Sequence, residues 1–257
     1  MKFNVIASGS KGNATLVSYK DTLILIDMGV SLSCLTEGLT AMNKKMEDID
    51  ISIFTHDHSD HIKGVQYLKN ATLAALQGTL SCPCMNLEIG KTIKVKDIDI
   101  TPVRTSHDAT NPCGFILTND HEKLVYITDT GFIPDETIEA IQNPTYMILE
   151  SNHDIKMLMK SKRTMQLKLR ILSDVGHLCN EDAAIYACNV IGNNTKSIIL
   201  AHLSEECNSP DVALDAWKKI FAYYKKDFNK YDIRCAKQYE MTFGGQDEDW
   251  SYRCWQN

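Results

Sequence analysis

A short segment of the chain is dense in residue types that bind metal ions. Thr55–His61 carries four residues of metal-ligand type within six positions: His56, His58, Asp60 and His61. Side chains two residues apart on an extended strand end point the same way, so His56 and His58 can share one ion. Asp60 and His61 follow where the backbone must turn, and they can serve a second ion. A hydrogen-bonded polar loop is the alternative, but grouped His and Asp at fixed spacing favour metal binding or catalysis.

The chemistry of these ligands indicates a hydrolytic centre with two divalent ions. Imidazole suits Zn²⁺ and other late transition metals, and a carboxylate can bridge two ions. Two ions about 3.5–4 Å apart can polarise a phosphodiester or another ester and activate a bridging water. We therefore expect two divalent ions per chain, with Zn²⁺ and Mn²⁺ as candidates.

Strand-like runs must position these ligands. Ile49, Ile51 and Ile53 alternate with polar residues directly before the histidine-rich segment, which predicts a strand. Three other residues of metal-ligand type also follow strand-like runs. Each alone is weak evidence for a metal site, because a lone histidine at a strand end often only caps the chain or faces solvent. A common rim of strand ends would bring all of them into one site. These pairs are Ile98–Val103 before His107, Leu124–Thr128 before Asp129, and Ser197–Ala201 before His202.

The alternation of strand-like and helical patterns predicts an α/β fold with layered strands and helices. The absence of a linker or repeat predicts a single domain over residues 1–257, with 240–257 as a C-terminal extension of unassigned role. Further strands are expected at Phe3–Ala7, Thr15–Tyr19, Thr22–Ile26, Thr92–Val95, Gly114–Thr118 and Tyr146–Leu149, and helices at 31–43, Pro134–Gln142, Glu181–Ile191 (capped by Asn180) and after Ser209.

The charge distribution bears on the substrate. Lys and Arg number 27 and Asp and Glu number 33, so the formal charge is −6, which argues against a general coat for nucleic acid. Residues 155–172 hold six cations and no acid, so the rest of the chain sums to −12. The run is either a phosphate-attracting patch or a solvated helix face. A patch near the metal ligands would favour a short or end-bound phosphodiester.

The chain shows no sign of a secreted or membrane protein. Met1–Ser8 is too short an apolar run for a signal peptide, and no stretch approaches the ~18 apolar residues of a membrane span. The nine Cys are best interpreted as cytoplasmic thiols. Residues 247–255 hold two of the three Trp; a homodimer contact, an active-site cover, a strand edge and a frayed end are the alternatives.

The histidine-rich segment resembles the signature of the metallo-β-lactamase fold, in its hydrolase and nuclease branch. Longer segments resemble the YycJ (WalJ, VicX) group of metal-dependent 5′→3′ exonucleases, whose related branches include tRNase Z and phage anti-Pycsar cyclic-nucleotide phosphodiesterases. This resemblance implies an αββα sandwich, with two mixed β-sheets flanked by helices and a dinuclear site on one edge. The segments that carry it are Ser8–Asn13, Ser106–Ala109, Leu149–Asp154, Ser173–Leu178 and Ala201–Glu206.

The resemblance also implies roles for individual residues. Asp27 would orient the histidine loop, and His177 would protonate the leaving oxygen, with capping of the following helix as its alternative. Asp60 is the second predicted catalytic residue. The ligand set would be His56, His58 and His107 for one ion, Asp60, His61 and His202 for the other, and Asp129 as the bridge.

Three residues are predicted to contact the substrate. His153 follows a strand at the same rim, where it contacts phosphate or is a hydrogen-bonded loop histidine. Ser10 and Asn13 lie in a glycine loop whose N–H groups either meet a phosphate or form a plain turn. The turn at 160–165 lacks the Gly-Pro-Tyr-Pro-like sequence of the resembling group.

The predicted function is that of a dinuclear phosphodiesterase that acts on nucleotide or nucleic-acid substrates, with a 5′→3′ DNA exonuclease as the main hypothesis. Overall motif similarity favours the exonuclease, whereas the acidic total and the altered turn favour a cyclic mononucleotide phosphodiesterase. A non-catalytic metal-binding module is a further alternative, which the intact ligand set opposes. Lactamase or thioester hydrolysis also occurs on this fold, because a fold alone does not fix function.

Overall fold

The computed structural model describes residues 1–69 and 71–245, which contain two seven-stranded sheets. The first sheet consists of β1 (Lys2–Ala7), β2 (Ala14–Tyr19), β3 (Thr22–Ile26), β4 (Ile51–Phe54), β5 (Leu73–Leu76), β6 (Met85–Leu87) and β14 (Thr242–Gly245). The second consists of β7 (Ile93–Val95), β8 (Ile98–Arg104), β9 (Cys113–Thr118), β10 (Lys123–Ile127), β11 (Tyr146–Glu150), β12 (Ser197–Ala201) and β13 (Asp232–Cys235). The strand orders are β14-β1-β2-β3-β4-β5-β6 and β13-β12-β11-β10-β9-β8-β7.

Each sheet joins an antiparallel half to a parallel half. In the first sheet β1, β2 and β3 form the predicted antiparallel meander, and β3 to β6 are parallel. In the second, β7 to β10 are antiparallel and β10 to β13 are parallel. The strands β8 and β10 flank β9 and run in the same direction. Consequently β3 and β4 in one sheet, and β8, β10, β11 and β12 in the other, each end at a common sheet edge.

The two sheets are covered by helices on their outer faces. Along β11, Tyr146 and Ile148 enter the core between the sheets, whereas Met147 and Leu149 enter the core under the outer helices, as the two-residue period of a strand requires. Burial on both faces explains why such strands are nearly all apolar. This confirms the predicted αββα sandwich. The helices are α1 (Leu32–Ala41) on the first sheet, α6 (Asn180–Val190) and α7 (Pro210–Tyr223) on the second, and the shorter α2 (Ser59–Ile62), α3 (Asp135–Ala140), α4 (Ile155–Lys160) and α5 (Met165–Ile171).

Several short elements were not predicted from the sequence: β5, β6, β13, β14, α2, α4 and α5. Each has three to seven residues, too few to show a clear hydrophobic period. The predicted cap of α6 was also wrong, because Cys179 is the N-cap residue and its Sγ accepts from the Asp182 N–H. The Asn180 side chain instead lies inside the protein, where its Oδ1 accepts from the Ser151 hydroxyl at 2.7 Å.

Some expectations concern parts of the chain that the structure does not describe. The Trp-containing tail at 247–255 lies outside the described residues, although β14, which belongs to the predicted extension, pairs with β1. The eight Cys of the described part are free thiols. In the same part, no helix has both the length and the apolar character of a membrane span. A single domain over 1–257 stays a prediction.

Candidate metal centre and its surroundings

The histidine-rich loop follows β4 and is folded around one buried carboxylate. Asp27, at the end of the neighbouring strand β3, is fully buried. Its Oδ1 accepts from the Thr55 N–H at 2.9 Å, and its Oδ2 lies 2.8 Å from Nδ1 of His61. Asp27 has a φ of +59°, a strained conformation for a residue other than glycine. Asp27 therefore contacts the loop as the resemblance implies.

The first group of donor atoms comes from the loop and from the end of β8. Donor atoms of His56, His58 and His107 lie within 4.8 Å of one another. Nδ1 of His58 lies 3.3 Å from Nε2 of His107. The other nitrogen of His107, Nδ1, is 3.0 Å from the carbonyl oxygen of Gly176, which fixes the ring. A histidine that donates from Nδ1 presents its Nε2 lone pair to an ion.

The second group lies beside the first. Asp60, His61 and His202 also bring donor atoms within 4.8 Å of one another. Oδ2 of Asp60 is 3.7 Å from Nε2 of His61 and 3.8 Å from Nε2 of His202. Asp129, which follows β10, joins this group to His56, and its Oδ2 is 3.1 Å from Nε2 of His61. The seven predicted ligands thus lie together, with Asp129 between the two groups.

The donor atoms fit divalent cations. Nε2 of His56 and Nε2 of His202 are buried and have no hydrogen-bond partner among the described residues. A buried polar atom without a partner is costly, and a metal ion supplies the missing partner. Burial first, and the neighbouring His61 next, lower the pKa of His56 far below its ordinary value, so its ring is neutral and its lone pair is available.

Protons occupy part of this site when no cation does. Burial alone would lower the pKa of His61, but the carboxylates of Asp27 and Asp129 outweigh burial and raise it to about 10. Burial alone would raise the pKa of Asp129, but His202 and His61 hold it well below its ordinary value. Cation binding at the nitrogen of His61 must therefore displace a proton.

The sequence interpretation missed Glu150, which no motif singled out as a site residue. This last residue of β11 is fully buried. Its Oε1 lies 2.7 Å from Nδ1 of His177 and 3.1 Å from Nδ1 of His202. Its Oε2 accepts from the backbone N–H groups of Thr130 and Leu178. The sequence could have indicated Glu150 by its position at the end of β11, because the neighbouring strands β10 and β12 are each followed by a predicted ligand.

His177 lies at the open side of the two groups. Its ring centroid is 5.0 Å from that of His107 and 5.3 Å from that of His202, and its side chain is 20% exposed. Because Cys179 caps α6, the alternative role of His177 as a cap is ruled out. With Nδ1 bonded to Glu150, Nε2 is the nitrogen left to meet a substrate.

The predicted substrate contacts receive less direct support. His153 is 1% exposed, and neither of its ring nitrogens has a hydrogen-bond partner among the described residues. Burial lowers the pKa of His153 to about 4, so the ring is neutral at neutral pH. In this conformation the ring does not reach solvent, and its contact with substrate stays a prediction.

The glycine loop uses several of its N–H groups for bonds within the protein, which favours the plain turn over the phosphate cradle. The Gly9 N–H donates to Oδ1 of Asn13, and the Lys11 N–H donates to Oε1 of Gln238. Asn13 is fully buried, and its Nδ2 lies 3.0 Å from Nε2 of His61, so this residue lines the metal groups. Ser10 is exposed at the loop tip, where its contact with substrate stays a prediction.

Comparisons with known proteins agree with this geometry. Residues 22–203 match the Beta-lactamase superfamily domain. The chain is 36% identical over 228 residues to exodeoxyribonuclease WalJ of Streptococcus pneumoniae, a match that covers 82% of this chain and 85% of that protein. It is 35% identical over 227 residues to exodeoxyribonuclease YycJ of Bacillus anthracis, covering 83% and 86%. The metallo-beta-lactamase fold protein YhfI of Bacillus subtilis superposes with a TM-score of 0.72 at 16% identity, covering 95% of this chain and 99% of that one, and shows the shared fold.

Proposed function

The chain belongs to the beta-lactamase superfamily, and on that premise we propose that it is a metal-dependent 5′→3′ exodeoxyribonuclease. The observation that carries the proposal is the pair of donor groups joined by Asp129, beside which Glu150 holds His177. Relatives with 35–36% identity over most of their length are named exodeoxyribonucleases, which supports DNA as the substrate. The nucleic-acid substrate is therefore the partner that we assign.

We assign two divalent ions, Zn²⁺ or Mn²⁺, to this centre. When bound, the two ions would polarise the phosphodiester and make an attacking water more acidic. Asp60 is the less buried of the two carboxylates, with 21% of its side chain exposed, so it is the one placed to accept a hydrogen bond from that water. The ligands would be His56, His58 and His107 for one ion, and Asp60, His61 and His202 for the other, with Asp129 between them.

Proton delivery to the leaving oxygen is assigned to His177. Burial alone would raise the pKa of Glu150, but His177 and His202 outweigh burial and lower it to about 2, so this carboxyl is ionised at neutral pH. An ionised Glu150 accepts from Nδ1 of His177 and thereby fixes the tautomer and the ring orientation. The doubly protonated form of His177, which this carboxylate stabilises, also carries a proton on Nε2, and transfer of that proton to the leaving oxygen contributes about 10²–10⁴-fold in rate.

The test combines metal counting with a substrate panel. We would measure metal content after loading with Mn²⁺ or Zn²⁺, then digest single-stranded and duplex DNA labelled at either end, together with cyclic mononucleotides. His58→Ala removes one ligand of the first group. His121→Ala is the matched control, because His121 is an exposed hairpin histidine outside the centre.

We expect two ions per chain, release of nucleotides from the 5′ end, and loss of activity in His58→Ala but not in His121→Ala. Rapid hydrolysis of cyclic mononucleotides with DNA left intact would replace the exonuclease by a cyclic-nucleotide phosphodiesterase. Full activity of His58→Ala, or fewer than two ions in the active protein, would contradict the dinuclear centre.

A further inference from the structure

A basic surface lies beside the metal centre, on the helices α4 and α5. Lys156 and Lys160 are one turn apart on α4, and Lys162 follows in the turn between the helices. All three are exposed and form no hydrogen bond or ion pair with another described residue. They are uncompensated cations in a chain whose remainder, outside residues 155–172, carries a formal charge of −12.

The same two helices expose large apolar side chains. Met159 on α4 is 43% exposed, and Met165 and Leu169 on α5 are 57% and 60% exposed. Met165 and Leu169 are four residues apart and therefore share one face of α5. The apolar residues that these helices bury are Leu158 and Ile171, so the exposed ones do not belong to the core. We call these six side chains the α4–α5 face: Lys156, Met159, Lys160, Lys162, Met165 and Leu169.

Ion pairs and a backbone hydrogen bond join the segment that carries this face to the loops of the metal centre. Arg170 of α5 pairs with Asp108, the residue after the ligand His107. Arg163 pairs at 3.0 Å with Glu206, in the loop after the ligand His202. The His177 N–H donates to the carbonyl oxygen of Ile171, the last residue of α5, at 3.0 Å. The face therefore lies along the rim from which His177 reaches the site.

A buried lysine also holds together the two helices that carry the α4–α5 face. Lys168 is 7% exposed, and its Nζ donates to the carbonyl oxygens of Met159 and Ser161 at 2.7 and 2.9 Å. These bonds join α5 to the C-terminal end of α4, where carbonyl groups lack helical partners. Lys168 thus holds the two helices in fixed relation, and its charge is used inside the protein.

We propose that the α4–α5 face binds the stretch of DNA strand that flanks the scissile phosphate, an inference that rests on the exonuclease function proposed above. The free lysines attract phosphates, and the exposed Met and Leu side chains offer apolar contact to bases, the combination that single-strand-binding grooves use. A helix of seven residues is about 10 Å long, which matches about three stacked nucleotides. Residues outside the metal centre therefore set the preference for a strand over a single nucleotide.

The test compares a long substrate with one that has no flanking strand. The substrates are a 5′-phosphorylated 20-nucleotide single strand and bis(p-nitrophenyl) phosphate, both with Mn²⁺. One variant combines Lys156→Glu, Lys160→Glu and Lys162→Glu. Its matched control combines Lys218→Glu, Lys219→Glu and Lys225→Glu, exposed positions in and directly after α7. The neighbouring Lys226 contacts the Ile191 carbonyl, ahead of β12, which places the control at the sheet edge opposite the centre.

We expect the KM for the 20-nucleotide strand to rise at least about tenfold in the triple-lysine variant. The slope of log(1/KM) against log salt concentration should become less steep by about 2, for three lost phosphate contacts. The kcat on bis(p-nitrophenyl) phosphate should stay within about twofold of wild type, since the centre is intact. A second variant, Met165→Ser with Leu169→Ser, should raise the same KM with the salt slope unchanged, because it removes base contacts only.

Three results would overturn the inference. The first is a triple-lysine variant that cuts the 20-nucleotide strand as wild type does, and the second is an equal loss in the α7 control. The third is lysine-dependent binding of wild type to phosphatidylserine-containing vesicles while DNA kinetics are unaffected, which would assign the face to a membrane. A wild-type protein that hydrolyses neither substrate would instead refute the proposed function, so the two failures are distinguishable.

Discussion

Replacement of Glu150 by Gln is the sharpest test of how this centre is organised. Both imidazoles that Glu150 contacts use the same oxygen, Oε1, while Oε2 accepts two backbone N–H groups. A glutamine can keep its oxygen on the backbone side only by turning its NH₂ group toward His177 and His202. Each ring must then accept at Nδ1 and carry its only proton on Nε2, which is the wrong tautomer for metal binding by His202. The same change removes the carboxylate that stabilises a doubly protonated His177, the form that can act as general acid.

The size of the effect follows from these two contacts. Loss of the carboxylate that orients a ligand histidine lowers metal affinity about 10–100-fold, here through His202. Loss of a general acid lowers kcat about 10²–10⁴-fold, here through His177. At saturating metal the loss of affinity no longer matters, so only the loss of kcat on DNA should be observed. His177→Ala should show the same loss of kcat with metal affinity unchanged, because His177 is not among the assigned ligands.

The assay measures Mn²⁺ affinity by calorimetry and kcat on DNA and on bis(p-nitrophenyl) phosphate at saturating Mn²⁺. Bis(p-nitrophenyl) phosphate needs little protonation of its leaving group, so its hydrolysis should survive in both variants. Glu139→Gln, which changes an exposed carboxylate on α3, is the control. The reasoning is refuted if Glu150→Gln is folded and keeps both its Mn²⁺ affinity and its kcat on DNA within about threefold of wild type.

Three further predictions concern metal, backbone packing and pH. Mn²⁺ at 100 times its Kd should raise the unfolding free energy by about 2.7 kcal/mol per independent site, and His58→Ala should reduce that gain in thermal melts. Gly29→Ala should destabilise the fold and weaken metal binding, because a Cβ at Gly29 would overlap the carbonyl oxygen of Asp60. Burial would raise the pKa of Glu122, but its ion pair with the amino terminus of Met1 outweighs burial and lowers it. The folded pKa then lies below the ordinary ~4.3, so Glu122 stabilises the protein above that pH and the contribution is lost as the pH falls through the folded value.

Each of these predictions has its own control. Mg²⁺-free buffer with EDTA gives the baseline for the melts, and an equal Mn²⁺ gain in His58→Ala would contradict its assignment as a ligand. Gly90→Ala is the comparison for Gly29→Ala, since a Cβ at Gly90 meets no atom within 4 Å, although its φ of +74° carries its own strain. Glu122→Gln should be less stable than wild type at pH 7, and the difference should shrink as the pH falls toward 2 in denaturant titrations. A difference that is as large at pH 2 as at pH 7 would show that the ion pair is not its source.

The sequence by itself determined the long strands and the candidate ligands that follow them. Apolar runs in β10 and β12 were predictable because each strand is buried on both faces, whereas β8 was recognisable from the alternation of buried Ile98 and Ile100 with polar residues. A common rim of strand ends was an assumption in the sequence analysis, because the histidine-rich loop follows β4 of one sheet, whereas His107, Asp129 and His202 follow strands of the other. The pattern did not reveal α4 and α5, because helices of six and seven residues are fixed by packing on Cys207 and by Lys168 rather than by a long period.

Only the tertiary structure decided what holds the ligands in place. Glu150 meets His177 and His202 across 27 and 52 residues of chain, and no local spacing encodes such a contact. The backbone N–H groups of the Gly9–Asn13 loop looked free in the sequence, yet in the fold Asn13 and Gln238 accept two of them. A side chain's type limits what chemistry it can do, but its partners depend on which strands become neighbours. Which strands become neighbours depends on how the whole core is buried, and no short segment of sequence contains that information.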